Sequence, residues 1–310
     1  MLETVGLSKT FKEKKAVDGI DMYLDVGESV GLLGPNGAGK STTISMIASL
    51  MKPTSGDVLL NGKSTIKNPA DIRKVLGVVP QEIALYEELS AYENLKFFGK
   101  IYQVKKAELE SRIQEVLDLV GLAERQKDLV KTFSGGMKRR VNIAAALLHH
   151  PKIIILDEPT VGIDPQSRNH ILETVRRLNV EQGTTVLYTS HYMEEVEQLC
   201  DRVYIMDHGK IVASGTQSEL FSILSSEDTL QVQFSKISEN FLEAIRAIEH
   251  VRRVEETGDG VRIISKKGSN MLSELVHAAE RHHIQVIHFQ QEVPSLEDVF
   301  LHLTGKTLRD

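Results

Sequence analysis

Residues Gly34-Pro35-Asn36-Gly37-Ala38-Gly39-Lys40-Ser41 have the spacing G-x-x-x-x-G-K-[ST] of a loop that wraps a polyphosphate. Glycines at 34, 37 and 39 let backbone N–H groups converge on phosphate oxygens. Lys40 reaches the outer phosphates and the Ser41 hydroxyl ligates Mg²⁺. Thr42 opens a helical stretch to Leu50, whose amino end adds unpaired donors and a positive dipole end. A second set is Asp157-Glu158, two carboxylates ending the apolar run Ile153-Ile154-Ile155-Leu156. There Asp157 fits a Mg²⁺ holder acting through water, and Glu158 fits a base for the attacking water, worth typically about 10²–10⁴-fold in rate. A third is Ser134-Gly135-Gly136-Met137, ahead of an apolar-faced helix over Lys138–Leu148. Ser134 is a good N-cap, and the open helix end can hold a second anion. On the tetrapeptide alone an ordinary capped helix fits better, and Lys138-Arg139-Arg140 reads as a solvated helix face.

These groups need elements to hold them. Residues 1–221 form an α/β block. Ser29–Leu33, Val75–Val79, Ile153–Leu156 and Thr185–Thr189 are near-continuous apolar runs, as in parallel strands covered on both faces. A phosphate site then belongs at the carboxyl ends of such strands. Val203–Met206 and Ile211–Ala213 read as a hairpin. Residues about 82–133 are a helical insert: Ser90 and Glu93 have capping-box spacing ahead of a helix over Asn94–Tyr102. Glu108–Val120 carries a 3.6-period apolar stripe that Gly121 ends.

Leu224–Asp228 reads as a linker. Beyond it, residues 224–310 spell strand Leu230–Phe234, helix Glu239–Glu249, strand Val251–Glu256, a Gly258-Asp259-Gly260 turn, strand Val261–Ser265, helix Asn270–His282 and strand Ile284–Gln290. That is the ferredoxin-like α+β order, with a further helix over Ser295–Leu303. This small domain has no phosphate loop and no ordered catalytic set, so it reads as regulatory or dimer-contacting.

The 310 residues are 41% hydrophobic and 26% charged, which excludes a wholly disordered chain. No run approaches the ~18–20 apolar residues of a spanning helix, and the amino terminus has no signal-peptide pattern. A net charge of −6 argues against a nucleic acid as the main partner. Cys200 is a lone thiol, read as a buried small hydrophobe, and the pairs His149-His150 and His282-His283 read as surface or structural. The default location is cytoplasmic.

The ordered set Gly34–Ser41, Gln81, Phe133–Met137, Leu156–Thr160, Gly162-Ile163-Asp164 and Thr189-Ser190-His191 resembles the nucleotide-binding subunit of an ABC transporter. The finer resemblance is to bacterial ABC-2 exporter ATPases, drug- and antibiotic-resistance pumps among them, which carry a small C-terminal domain ending much like Leu296–Leu301. It implies a P-loop NTPase of the ABC type with a helical insert. It also implies that Phe11, where tyrosine is usual, stacks on adenine, and that Gln81 senses Mg²⁺ and the membrane partner. Ser134, Gly135 and Gly136 then meet the γ-phosphate bound by the opposite subunit, Asp164 crosses the dimer interface, and His191 contacts the γ-phosphate of its own subunit. Phe133 stands where leucine is usual.

The resemblance further implies a homodimer that closes on ATP and reopens after hydrolysis. Those movements drive a separate transmembrane permease that exports a drug, antibiotic, lipid or similar substance, with this chain peripheral on the inner face of the cell membrane. The alternatives are a soluble ABC-type ATPase working on DNA or ribosomes, and a regulatory or immunity protein that binds ATP without pumping. The coiled-coil arms, zinc modules and second ATPase unit of the DNA and ribosomal kinds are missing from the sequence, and no N-K-x-D guanine-reading motif is present.

Overall fold

Ser29–Leu33, Ile153–Asp157 and Thr185–Thr189 are buried at every position, as strands covered on both faces must be. The computed structural model describes residues 1–190, 192–224, 227–258, 260–292 and 294–305. Met1–Gln217 makes up the body of one compact unit and Ser218–His302 the other.

The first unit begins with β1 (Leu2–Phe11), β2 (Lys14–Leu24), β3 (Ser29–Leu33), α1 (Lys40–Ile47), β4 (Ser55–Leu60), β5 (Lys63–Ser64), α2 (Pro69–Val75) and β6 (Leu76–Val79). The helical insert supplies α3 (Ala91–Ile101) and α4 (Lys106–Leu119). Then come α5 (Gly135–Leu147), β7 (Ile153–Asp157), α6 (Pro165–Val180), β8 (Thr185–Thr189), α7 (Met193–Leu199), β9 (Arg202–Asp207) and β10 (Lys210–Thr216). A six-stranded sheet runs β10-β9-β3-β8-β7-β6, parallel except for the β10 edge, and an antiparallel sheet runs β2-β1-β4-β5. One core joins them, with Leu7, Ile20, Ile47 and Val58 packed among Leu32, Ile155 and Leu187.

The parallel order decides where the chemistry falls. The loops after β3, β6, β7 and β8 leave one edge of the sheet, and they carry residues 34–39, Gln81, Glu158 and Ser190. In the insert, Ser90 Oγ accepts the Glu93 N–H at 3.2 Å while Glu93 Oε2 accepts the Ser90 N–H at 2.8 Å. That reciprocal cap starts α3 at Ala91, three residues before the expected start at Asn94.

From Gln217 onward the chain forms α8 (Gln217–Leu224), β11 (Glu227–Phe234), α9 (Glu239–Arg246), β12 (Val251–Thr257), β13 (Gly260–Lys266), α10 (Met271–Arg281), β14 (Val286–Glu292) and α11 (Leu296–Thr304), all but Gln217, Leu303 and Thr304 lying in the second unit. Its sheet is antiparallel in the order β12-β13-β11-β14, and Val232, Val261 and Ile263 pack against Phe241, Ile245 and Leu275 of the helices. The expected linker at Leu224–Asp228 is corrected: Leu224 ends a helix, and Glu227 and Asp228 belong to a strand. The backbone register continues to Glu227 opposite Lys266 and Asp228 opposite Ser265, and Asp228 Oδ2 accepts the Gly268 N–H at 2.7 Å. Ser225, Ser226 and the turn residue Asp259 lie outside the described residues.

Candidate active site

The loop between β3 and α1 is held by contacts that only glycine permits. A Cβ on Gly34 would collide with the Met206 carbonyl oxygen. Gly39 has φ +109° and a Cβ there would come within 2.5 Å of the Ala16 oxygen. Backbone therefore surrounds the loop closely and turns it round the next residue, Lys40. The Lys40 ammonium is 5% exposed and donates to the Gly34 oxygen at 2.7 Å and the Pro35 oxygen at 3.3 Å. It lies 3.6 Å from Glu158 Oε1. Burial pushes the Lys40 pKa down, and the Glu158 and Asp157 carboxylates push it back up.

Glu158 follows β7 with φ +48°, a left-handed conformation that costs a non-glycine residue free energy and is found at functional sites. Its N–H donates to Thr189 Oγ1 at 2.9 Å, whose hydroxyl donates to Asp157 Oδ1 at 2.9 Å, so the ends of β7 and β8 are tied. Gln81 Nε2 donates to Glu158 Oε2 at 3.0 Å. Arg139 of α5 donates to the Pro80 oxygen at 2.5 Å and to the Gln81 oxygen. This corrects the solvated reading of Lys138-Arg139-Arg140. Arg139 is 4% exposed, Lys138 pairs with Glu87 at 2.5 Å, and Arg140 donates to the Val120 oxygen at 2.9 Å. Packing of α5 on α3 and α4 turns the run inward.

A cleft of about 460 Å³ is lined by Phe11, Asn36, Gly37, Gly39, Lys40, Ser41, Thr42, Gln81 and Glu158. Pro35 and Ala38 belong to the same loop, with Ala38 buried beneath it. Phe11 is 46% exposed, an aromatic ring of the kind a base stacks on, and Lys9 Nζ lies over it 5.3 Å from its centroid. Lys14, Lys15 and His208 also line the cleft. Sequence reasoning missed them because two hairpin turns distant in the chain bring them there. A larger cavity of about 640 Å³ lies at the opposite, amino-terminal edge of the parallel strands, lined by Val26, Val75, Lys152 and Thr184, and holds no such set.

Ser134, Gly135, Gly136 and Asp164 do not line this cleft. They form a second locus. Ser134 caps α5, its Oγ accepting the Met137 N–H at 3.2 Å. Asp164 caps α6, its Oδ1 accepting the Ser167 N–H at 2.9 Å, and that bond holds its carboxyl below the usual range. A Cβ on Gly136 would collide with the Ser167 side chain and lie 3.4 Å from Asp164 Oδ2, so the two helix starts are neighbours. His191 lies outside the described residues. A hydroxyl at Ser41, an amide oxygen at Gln81 and a carboxylate at Asp157 are hard oxygen donors that suit Mg²⁺ shared with substrate phosphates.

The family model described as "ABC transporter" matches residues 17–161, and that described as "ATP-binding protein DrrA1-3-like, C-terminal domain" matches 225–304. The chain is 52% identical to the linearmycin resistance ATP-binding protein LnrL of Bacillus subtilis, over 100% of both chains. It is 39% identical to the daunorubicin/doxorubicin resistance ATP-binding protein DrrA of Streptomyces peucetius, over 100% of this chain and 94% of that one. Among solved structures, an ATP-binding subunit of an ABC transporter matches with TM-score 0.65 and 33% identity, over 72% of this chain and 92% of that one. The dimeric post-hydrolysis cassette MJ0796 bound to ADP and Pi matches with TM-score 0.64 and 28% identity, over 70% and 98%.

Proposed function

The chain belongs to the ABC transporter family as an ATP-binding subunit, and from that premise we propose how its own residues bind and hydrolyse ATP to power export through a separate permease. The observation that carries the reading is the meeting of Lys40, Gln81 and Glu158 in one cleft beside the glycine loop. Phe11 stacks on adenine, with Lys14 and Lys15 near the negative phosphates. Backbone N–H groups of Asn36, Gly37 and Gly39 and the Lys40 ammonium bind the β- and γ-phosphates. Ser41, Gln81 and Asp157 would hold a Mg²⁺ ion, which when bound would supply positive charge to the phosphate oxygens. Glu158 takes a proton from water as its oxygen attacks the γ-phosphorus, and the bond to the bridging oxygen breaks to give ADP and phosphate. The Gln81 amide holds the Glu158 carboxylate in place meanwhile.

Ser134–Gly136 and Asp164 serve the other subunit's nucleotide in a head-to-tail dimer. Each ATP is clamped between one subunit's phosphate loop and its partner's α5 start, and hydrolysis removes the anion that joined them. No helix among the described residues is long and apolar enough to cross a membrane. The permease then docks where apolar side chains face outward. Leu50 and Ile101 line one cavity of about 680 Å³, and Tyr86 stacks edge-on to Phe97 one turn before Ile101. Docking there sets the chain against the inner face of the membrane. The resistance relatives point to an antibiotic as cargo. The test is efflux from cells expressing this chain with its permease. Lys40→Ala should abolish efflux, and efflux that persists would refute the reading.

A further inference from the structure

Glu195 takes no part in the chemistry above, yet it is a carboxylate only 2% exposed. Its Oε2 accepts the hydroxyls of Thr160 at 2.8 Å, Tyr188 at 2.9 Å and Ser190 at 2.5 Å. Its Oε1 lies 3.5 Å from Arg168 Nε, and the Arg168 guanidinium stacks on the Tyr192 ring at 4.0 Å. The four partners come from separate places. Thr160 is two residues past Glu158. Arg168 is one turn past the Asp164 cap of α6. Tyr188 is in β8, and Ser190 follows its last residue.

The direction of each bond can be counted. A hydroxyl has one hydrogen, and an ionised carboxylate accepts without donating. All three hydrogens therefore point at Oε2. Ser190 Oγ then has a lone pair for the Tyr192 N–H, which it accepts at 2.9 Å. A neutral amide cannot copy this. With its oxygen toward the hydroxyls, its NH₂ faces Arg168. Turned round, its NH₂ meets three hydroxyls that must all reverse. Such a network is worth more than its separate bonds because each polarises the next.

We propose that Glu195 is a positioning residue for ATP hydrolysis, clamping the segment that carries Glu158 and Asp164 to the end of β8. This rests on the reading of Glu158 as the base. A shift of about 1 Å in a reacting group can cost roughly 10²-fold in rate. The clamp acts on the water-activating edge, while Lys40 and the glycine loop are anchored by their own contacts. Its loss therefore lowers kcat and spares nucleotide binding.

The test measures kcat, KM and ATP-binding stoichiometry for Glu195→Gln, Thr160→Val and their double variant, beside Glu158→Gln. Glu195→Gln should lose about 10-fold or more in kcat with KM within about 2-fold and one ATP bound per chain. Thr160→Val, which removes one hydroxyl at nearly constant shape, should lose less, and the double variant should match Glu195→Gln because the two act as one unit. Wild-type kcat in a Glu195→Gln protein that binds ATP fully would overturn the proposal. So would additive losses in the double variant, or a loss of ATP binding that matches the loss of rate. If Glu195→Gln fails to fold, Thr160→Val with Tyr188→Phe carries the same split. Wild-type turnover in Glu158→Gln would instead sink the base assignment, a separate failure.

Discussion

Replacing Glu158 by glutamine removes one charge and one proton acceptor with almost no change in shape. The carboxylate is 3.6 Å from the Lys40 ammonium, so the pair's gross attraction is about 5 kcal/mol at an effective dielectric near 20. Desolvation of both buried groups offsets much of that. Lys40 also keeps its bonds to the Gly34 and Pro35 oxygens and its attraction to Asp157, so the variant should fold. Two effects then separate. With Glu158 as the proposed base, hydrolysis should fall by at least ~10²-fold. ATP binding should tighten, because Lys40 no longer shares its charge with Glu158 and the γ-phosphate no longer faces a carboxylate. One like-charge contact removed at about 4 Å is worth about 1 kcal/mol even in water, or about 5-fold in affinity. Phosphate release measures the first and equilibrium binding of labelled ATP the second. Gel filtration with ATP should show the variant as a dimer. Turnover at the wild-type rate would refute the reasoning. So would a fall in affinity that parallels the fall in rate, which would make Glu158 a holder of nucleotide and not a base.

Three further outcomes are expected. Burial pushes the Cys200 thiol up to about 12, so a maleimide at pH 8 should leave the folded protein unlabelled and take one equivalent once it is unfolded. Burial alone would raise the Glu28 pKa, but two hydrogen bonds from Arg202 at 2.8 Å outweigh it and hold it below the usual range. Glu28→Gln should therefore cost about 2 kcal/mol near neutral pH in urea unfolding, the scale of a charge-assisted hydrogen bond. A lowered folded pKa gives stability that is full above the unfolded value of about 4.3 and fades as pH falls through the folded one, so the gap between variant and wild type should close below about pH 4. Truncation after Leu224 should leave ATP affinity unchanged while altering basal hydrolysis or dimerisation, and a folded truncation that cannot bind ATP would refute the two-domain division.

The glycine loop and the paired acids were legible because their signal is local: fixed residue types at fixed spacing beside an apolar strand. The capping box was legible for the same reason. Strands β1, β2 and β4 were not. Buried and exposed positions mix along β1, and its pairing slips at bulges near Thr4, Leu7 and Lys9. Only tertiary pairing declares such a segment a strand. Arg139 misled because a lysine or arginine run on a helix looks solvated until α3 and α4 cover it. Glu195 carried no signal, since its four partners lie 5 to 35 residues away and only the fold brings them round one carboxylate. Lys14, Lys15 and His208 reach the cleft in the same way, from turns far apart in sequence.

Mixing two dead variants tests the proposed head-to-tail dimer most directly. Lys40→Ala breaks the phosphate loop, and Ser134→Arg blocks the helix end that should serve the partner's nucleotide. Each alone should hydrolyse almost nothing, although Ser134→Arg should still bind ATP. In an equal mixture, half of the dimers pair one of each and hold one intact site out of two, so about a quarter of the wild-type rate should return. A mixture as inactive as its components would contradict the shared site, and wild-type hydrolysis by Ser134→Arg alone would place the whole reaction within one chain.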